Sequence, residues 1–190
     1  MKQTIIATLF TIFSFSAIAQ SMNVQYGLKA GLNVSTLSGE GAGYMYNLNA
    51  WYAGVQATFP LSKVIAFQPE LLYSKEGFRG PGVIYRCDYA RLPFTFQARH
   101  QSGVYAELGA QVGVNLKGTA EIISQDQKMD IPELEQINTA LIMGFGYRHA
   151  KGFGANFRYS PSVSNLGNEI KAKLNCLSVG VFYTLESLKK

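Results

Sequence analysis

Charged residues are scarce in this sequence, and long apolar runs are missing after its N-terminal segment. Only 15% of the 190 residues are charged, whereas about 25% is usual in soluble domains. A membrane-spanning helix needs about 20 consecutive apolar residues, and no segment after the N-terminal one provides them. The composition therefore argues against an ordinary soluble domain, and the missing runs exclude a helical membrane protein.

Side chains that commonly carry chemistry are also few, because the chain has only two histidines and two cysteines. His100 and His149 have no cysteine or carboxylate at the spacing of metal ligands, so we expect both to be solvated turn residues. No nucleophile is placed beside a base. The net charge is mildly positive without a basic run, which disfavours nucleic acid as a partner. We expect no catalytic residue, no metal, no cofactor and no enzymatic activity.

The first residues have the pattern of an export signal. Lys2 provides a positive charge, residues 5–15 form a short apolar segment, and the Ala-Ile-Ala sequence at 17–19 matches a signal peptidase site. Residues 1–19 are therefore predicted to be a signal peptide of the Sec pathway that is cleaved off. Residues 20–190 then form a single domain.

Apolar residues alternate with small or polar residues along most of the remaining chain. Every second residue from Tyr26 to Val34 is apolar, and a period of two is typical of a strand with two different faces. Eight segments are predicted to be strands on this basis: about 24–35, 48–59, 64–75, 88–99, 104–117, 139–148, 153–160 and 174–185.

The connections between these segments are alternately short and long. The short ones are 60–63, 100–103 and 150–152, and the long ones are 36–47, 76–87, 118–138 and 161–173. This order predicts up-and-down hairpins with short periplasmic turns, long external loops and both termini in the periplasm. Asp130 is a candidate N-cap for a short helical turn over 132–135.

The apolar faces are expected to contact lipid, because the lumen of eight strands is too narrow to hold their side chains. Aromatic residues fall at two heights, as in the girdles of membrane barrels. Those near the short turns are Tyr26, Phe59, Phe67, Phe96, Tyr147, Phe153 and Tyr183, and those near the long loops are Trp51, Tyr73, Tyr89 and Tyr159. The sequence therefore predicts an all-β fold, an eight-stranded antiparallel up-and-down transmembrane β-barrel.

Several ionisable residues fall on the face predicted to line the lumen. They are Lys29, Glu70, Arg91, Glu107 and Arg158. Charges in a lumen must be paired or hydrated, so we expect an ion-pair network that plugs the barrel. Glu70 and Arg91 face inward on adjacent predicted strands and are expected to form one of the pairs.

The two cysteines are predicted to be separate thiols. Cys87 and Cys176 fall near the starts of the fourth and eighth predicted strands, which face each other across the lumen of an eight-stranded barrel. A disulfide requires Cα atoms within about 7 Å of each other, and strands on opposite sides of a barrel do not meet that condition.

Many of these segments also carry recognisable motifs. GLKAGLNVSTL lies on the first predicted strand, GVQATFPLSKVIAFQPELLYSKEG spans the second and third, and RLPF lies on the fourth. YAELGAQVGVNL, GFGYRH and GFGANFRYSPSVSNL follow on the fifth, sixth and seventh. Together they resemble the PorT-like outer-membrane β-barrel family of Bacteroidota. The resemblance implies an eight-stranded outer-membrane barrel and implies little about activity.

These observations predict an integral outer-membrane barrel with a structural or partner-binding role. Its expected partners are outer-membrane lipid, the barrel-assembly machinery during insertion, and an unidentified extracellular or envelope protein. The loops 39–46 and 118–138 are the expected binding surface. The alternatives are a small passive channel for solutes or ions, a membrane-facing lipid enzyme and a soluble periplasmic lipocalin-like carrier.

Overall fold

A computed structural model of the chain describes residues 24–39, 42–123, 127–130, 137–165 and 172–185. The predicted signal peptide, residues 1–19, lies outside the described residues. The described residues form nine strands and one short 3-10 helix, Ala42–Tyr44. The strands are β1 (Gln25–Gly39), β2 (Tyr46–Pro60), β3 (Ile65–Gly80), β4 (Val83–Arg99), β5 (Val104–Ile122), β6 (Gln127–Asp130), β7 (Ile137–Arg148), β8 (Phe153–Ser160) and β9 (Ala172–Leu185). Within the described part, no helix is long and apolar enough to cross a membrane.

Eight of the strands close into a ring. β1 to β5 pair with one another in chain order, and β5 also pairs with β7. β7 pairs with β8, β8 pairs with β9, and β9 pairs with β1, which closes the ring. Every one of these pairings is antiparallel. The predicted eight-stranded up-and-down barrel is therefore confirmed. The ninth strand, β6, lies outside the ring and pairs with the end of β5.

The two faces of each strand meet different surroundings, as the alternation predicts. On β5 the side chain of Leu108 is 66% exposed on the outside of the barrel, whereas Gln111 is only 9% exposed in the lumen. The same division holds for Val181 and Phe145 outside and for Lys29 inside. The apolar surface is external and the polar surface is internal, which is the reverse of a lipocalin-like carrier.

Two tight hairpins define one end of the barrel, which we call the turn end. In the first, the Gly103 N–H donates to the His100 carbonyl at 3.0 Å, and in the second Gly152 does the same with His149. Both glycines have a positive φ, 94° and 89°, a conformation that residues with a Cβ rarely adopt. The two histidines are exposed in these turns, as predicted. The opposite end of the barrel is the loop end.

Five of the predicted aromatic positions near the turn end, Phe59, Phe67, Phe96, Phe153 and Tyr183, pair with one another on the outer surface. Phe153 lies 4.7 Å from Tyr183 between ring centroids, and Phe67 lies 5.1 Å from Phe96. At the loop end, Trp51 and Tyr73 are outside and 5.6 Å apart. The placement of Tyr89 in this outer belt was wrong. Its ring is buried, because strand alternation gives it the same inward direction as Arg91 two residues later.

The strands continue further at the loop end than the alternation predicts. Residues 76–87 form a continuous hairpin between β3 and β4, so their prediction as a long loop was wrong. The chain reverses at Pro81–Gly82, where Gly82 has a φ of 74° and Pro and Gly are the residues that such a turn favours. Asp130, the candidate N-cap, pairs with Thr119 as the last residue of β6, and the helical turn predicted over 132–135 lies outside the described residues.

Glycines on the lumen face make room for large inward-facing rings. A Cβ at Gly154 would lie 2.1 Å from the Phe182 ring, and one at Gly146 would lie 2.5 Å from the Tyr105 hydroxyl. These distances are far below a normal van der Waals contact. The abundance of glycine in the chain therefore reflects the small diameter of the lumen as well as the needs of turns.

The two cysteines are free and buried, as predicted. Cys87 lies on β4 and Cys176 lies on β9. In the order of the ring, three strands separate these two in either direction: β3, β2 and β1 on one side, and β5, β7 and β8 on the other. The strands therefore stand on opposite sides of the lumen, where a direct bridge between the sulfur atoms is excluded.

A charge placed on the outer face tests whether that face contacts lipid. We expect Leu108→Arg to lower the free energy of unfolding in lipid vesicles by about 2–4 kcal/mol, because an arginine in the hydrocarbon layer loses its hydration. The same change in an exposed turn, Leu61→Arg, should cost about 1 kcal/mol or less. Urea titration of tryptophan fluorescence measures both values. Equal costs at the two positions would contradict a lipid-facing Leu108.

Candidate functional site: the charged lumen

The lumen contains six fully buried charged side chains. They comprise three cations, Lys29, Arg91 and Arg158, and three carboxylates, Glu70, Glu76 and Glu107. Five of the six are the residues that the strand alternation predicts. The sixth, Glu76, belongs to the segment that was predicted as a loop. With all six ionised, the buried charges sum to zero, which is the condition for holding them away from water.

Arg158 is the centre of the larger of two clusters. Its guanidinium donates Nη1 and Nη2 to the two carboxylate oxygens of Glu70, at 2.8 Å and 2.6 Å. Its Nε and Nη2 donate to Glu107 at 2.5 Å and 3.0 Å. This is a double bidentate arrangement, the geometry in which an arginine binds carboxylates most strongly.

The position of Arg158 in the ring explains why it reaches both carboxylates. Arg158 lies on β8 and Glu70 on β3, and four pairings separate these strands in either direction around the ring. The Arg158–Glu70 pair therefore spans the full diameter of the lumen. Lys29, from β1, adds a second cation to Glu70 at 3.1 Å. One carboxylate thus joins three strands that do not neighbour one another.

The second cluster lies nearer the loop end and is built on Arg91. Arg91 donates Nε and Nη2 to the carboxylate of Glu76 at 3.0 Å and 2.6 Å. Its Nη1 donates to Asn138 on β7 at 2.5 Å, which connects the cluster to the strand on the other side of β5. Ser74 donates to Glu76 at 2.9 Å.

The predicted pairing of Glu70 with Arg91 is therefore wrong. Arg91 lies opposite Leu72 in the β3–β4 register, and its guanidinium stacks on the Tyr89 ring at 4.2 Å from the centroid. The side chain consequently runs toward the loop end and reaches Glu76. Glu70 lies on the other side of Leu72 and is already bound by Arg158. The alternation predicted the faces correctly, but the direction of a long side chain along the strand was not predictable from it.

An apolar cluster covers the lumen above Arg91. Phe78, Cys87, Tyr89 and Leu174 are buried together, with Leu37, Met45 and Tyr85 packed against them. Phe78 stacks on Tyr85 with 4.7 Å between ring centroids. We call these seven residues the apolar cap. Three of the seven, Phe78, Tyr85 and Cys87, belong to residues 76–87, which the sequence analysis assigns to a loop.

Little space remains between the two ion clusters. A cavity of about 30 Å³ lies there, with Arg91, Glu76 and Arg158 in its wall. A void of this size holds about two water molecules. In the part of the chain that the structure describes, no three His, Cys, Asp or Glu side chains come together as a metal site. The arrangement can hold charge and water in fixed positions, and it offers no room for a solute.

The strands form a closed antiparallel ring with an apolar exterior and a polar interior whose buried charges are balanced. These features are typical of a β-barrel that resides in a membrane. The comparisons with known proteins agree. A family model described as "Outer membrane protein beta-barrel domain" matches residues 18–168. The chain therefore belongs to this family and is an integral outer-membrane β-barrel protein. No curated protein matches the sequence significantly.

Solved outer-membrane barrels have the same fold at low sequence identity. Neisserial surface protein A (NspA) is 14% identical with a TM-score of 0.61, and the match covers 84% of this chain and 97% of NspA. Ail, the attachment invasion locus protein of Yersinia pestis, solved with the heparin analogue sucrose octasulfate, is 17% identical with a TM-score of 0.54. That match covers 86% of this chain and 100% of Ail. These likenesses establish the fold alone.

Removing one carboxylate tests whether charge balance holds the lumen together. In Glu70→Gln, Arg158 retains Glu107, but Lys29 loses its carboxylate partner inside the barrel. We expect the free energy of unfolding in vesicles to fall by about 3–5 kcal/mol. Urea titration followed by the gel-mobility difference between folded and unfolded barrel measures the loss.

Two further variants separate charge balance from other effects. Glu121→Gln removes a carboxylate from the exposed Arg86 pair and should cost less than about 1 kcal/mol. The double variant Lys29→Met with Glu70→Gln restores neutrality and should recover most of the lost stability. A double variant as unstable as Glu70→Gln would show that neutrality is not the governing factor.

Proposed function

We propose that the protein is a non-conducting, non-enzymatic outer-membrane barrel that binds a partner through its loop end. In this proposal the chain is exported through the Sec pathway and inserted by the barrel-assembly machinery, with the turn end and both termini in the periplasm. The loop end then faces the cell exterior. The observation that carries the proposal is the filled lumen. A barrel without a continuous pore has only its outer surfaces with which to contact other molecules.

Two features support a closed lumen. The double bidentate contact of Arg158 with Glu70 and Glu107 crosses the barrel at its centre, and the apolar cap covers the lumen above it. An ion that crossed would have to displace buried, fully paired charges, at a cost of several kcal/mol for each. The passive-channel alternative requires a space that these side chains already occupy.

The strand extensions at the loop end support a binding role. From Tyr73 in the outer aromatic belt, β3 continues to Gly80, which is about 23 Å along an extended strand. β4 and β5 accompany it, and β6 widens the sheet at its end. A rigid sheet that continues beyond the aromatic belt holds its side chains in fixed positions. Binding to it therefore costs less conformational entropy than binding to a flexible loop.

Exposed residues on this sheet have the composition of a recognition surface. Tyr46 pairs with Arg79 across β2 and β3, and both side chains are exposed. Tyr44, in the adjacent 3-10 helix, is 79% exposed. Tyrosine and arginine are the residue types that contribute most often to the binding energy of protein interfaces. We call Tyr44, Tyr46 and Arg79 the loop-end surface.

Within its family, we propose that the chain is a PorT-like member from Bacteroidota. The support is the series of motifs on its strands, above all the Pro-Leu-Ser turn followed by QPELLYS. In the fold this segment forms the β2–β3 hairpin, including Glu70. The motif therefore contains both a turn-end hairpin and the carboxylate at the centre of the ion network.

Conductance measurements test the closed lumen. We expect purified protein in planar bilayers to show no steady openings, because the ion clusters and the apolar cap fill the barrel. An open porin added to the same bilayer serves as the positive control. Reproducible unitary openings of the wild-type protein would contradict a closed lumen and revive the passive-channel alternative.

Photo-crosslinking in intact cells tests the loop-end surface. We expect a photoreactive residue in place of Tyr44 to capture one defined partner, and the same residue in place of Leu61 at the turn end to capture none of it. Arg79→Ala should reduce the yield at Tyr44 several-fold if Arg79 contributes to binding. Equal capture from both positions, or none from Tyr44, would contradict a binding role for this surface.

A further inference from the structure

Two arginines at the turn end of the lumen differ from every other cation in it. Arg99 is the last residue of β4 and Arg148 is the last residue of β7. Both are half-buried. Lys29, Arg91 and Arg158 each have a carboxylate partner, whereas neither Arg99 nor Arg148 forms an ion pair with any residue in the described ranges.

The acceptors that hold these two arginines are neutral. Arg148 donates Nη1 to Gln25 at 2.8 Å and Nη2 to Gln68 at 3.3 Å. Arg99 donates Nε and Nη2 to the same oxygen of Gln97, at 3.1 Å and 2.7 Å. The guanidinium groups are therefore positioned by amides, and no carboxylate among the described residues compensates their charge. Because the six central charges sum to zero, the described residues give the turn end of the lumen a net charge of about +2.

Two glutamines separate the arginines from the central carboxylates. Gln68 accepts from Arg148 and donates to Glu70 at 2.7 Å. Gln97 accepts from Arg99 and donates to Glu107 at 3.3 Å. Arginine only donates and carboxylate only accepts, so each amide has one possible orientation. The central carboxylates are consequently unavailable to neutralise the arginines directly.

The two arginines are also placed to act on one ligand. Arg99 pairs with Tyr105 on β5, and the Arg148 N–H donates to the carbonyl of Gly103, the residue just before β5. Their strands flank β5 at a separation of about 10 Å, and their positions differ by two residues along it, so their backbones are about 12 Å apart. This distance is within the joint reach of two arginine side chains. Arg148 is braced by the Phe182 ring, 5.3 Å from its centroid, and its buried Nε has no hydrogen-bond partner among the described residues.

We propose that Arg99 and Arg148 form a binding site for an oxyanion, a carboxylate or a phosphate group, at the turn-end mouth of the lumen. The planar guanidinium fork matches both groups, and two forks that are already oriented lose little entropy on binding. A bound anion compensates the charge that the rest of the lumen leaves uncompensated. Only the assignment of this mouth to the periplasm rests on the orientation in the proposed function.

The test is a side-chain NMR titration of the full folded barrel in detergent micelles. With 15N-labelled arginine, the Nε–H signals of Arg99 and Arg148 are followed while sodium phosphate or sodium acetate is added against sodium chloride at equal ionic strength. We expect saturable shifts of both signals, with no such shift at Arg86 on the outer surface. Saturation by acetate alone assigns a carboxylate site, and saturation by phosphate alone assigns a phosphate site. Shifts that merely follow ionic strength would overturn the proposal.

Variants locate the site. Arg148→Gln should raise the midpoint of the Arg99 titration about tenfold or more, the loss expected for a charged hydrogen bond. Lys151→Gln removes a cation from an exposed turn at the same end and should leave the midpoint within about twofold. If Arg148→Gln does not fold, Arg99→Gln replaces it, and the titration is then followed at the Arg148 signal.

Equal effects of Arg148→Gln and Lys151→Gln on the midpoint would also overturn the proposal. Because the titration uses purified protein in micelles, its result does not depend on how the barrel is oriented in the outer membrane or on a partner at the loop end.

Discussion

The bridge that Arg158 makes between Glu70 and Glu107 is the contact on which the rest of the structure depends. Eight strands enclose a lumen that one layer of side chains fills, so a charge fully buried at its centre must be neutralised by another side chain of that layer. Arg158 does this across the full diameter, and its two carboxylates come from β3 and β5. The ring is thereby fixed from within at its centre. Contacts on the outer face join only neighbouring strands, because its side chains point away from the barrel axis.

The same narrow lumen determines which residues surround that bridge. Long polar side chains and rings such as those of Tyr105 and Phe182 fit only where the neighbouring strand has no Cβ, and Gly146 and Gly154 stand at those positions. Glycine, which weakens strands in soluble proteins, is therefore required here by the packing of the interior. The low content of charged residues follows as well, since the lipid-facing exterior excludes charge and the centre of the lumen holds it only in balanced sets.

Sequence reasoning predicted the barrel, the strand order and the direction of nearly every strand residue, because a period of two is a local property. It failed where the outcome depends on more than alternation. The Glu70–Arg91 pair was wrong because side-chain direction along a strand depends on neighbours such as Tyr89. Residues 76–87 were assigned to a loop because glycine and charge interrupt their alternation, although the Pro81–Gly82 pair was an available turn signal. Arg99 and Arg148 were overlooked because a missing counter-charge is visible only in three dimensions.

From the loop end to the turn end, the lumen contains an apolar cap, a neutral ion network and an uncompensated pair of arginines. These layers are connected, since Gln68 and Gln97 each join one arginine to one central carboxylate. A ligand that binds Arg148 would change the donors around the Gln68 amide oxygen, which also accepts from the Thr58 hydroxyl at 2.9 Å. Binding at that mouth is thus linked to the geometry around Glu70, whereas the apolar cap lies between the ion network and the loop-end surface. The two ends of the barrel are therefore suited to different ligands, and the central bridge keeps them apart.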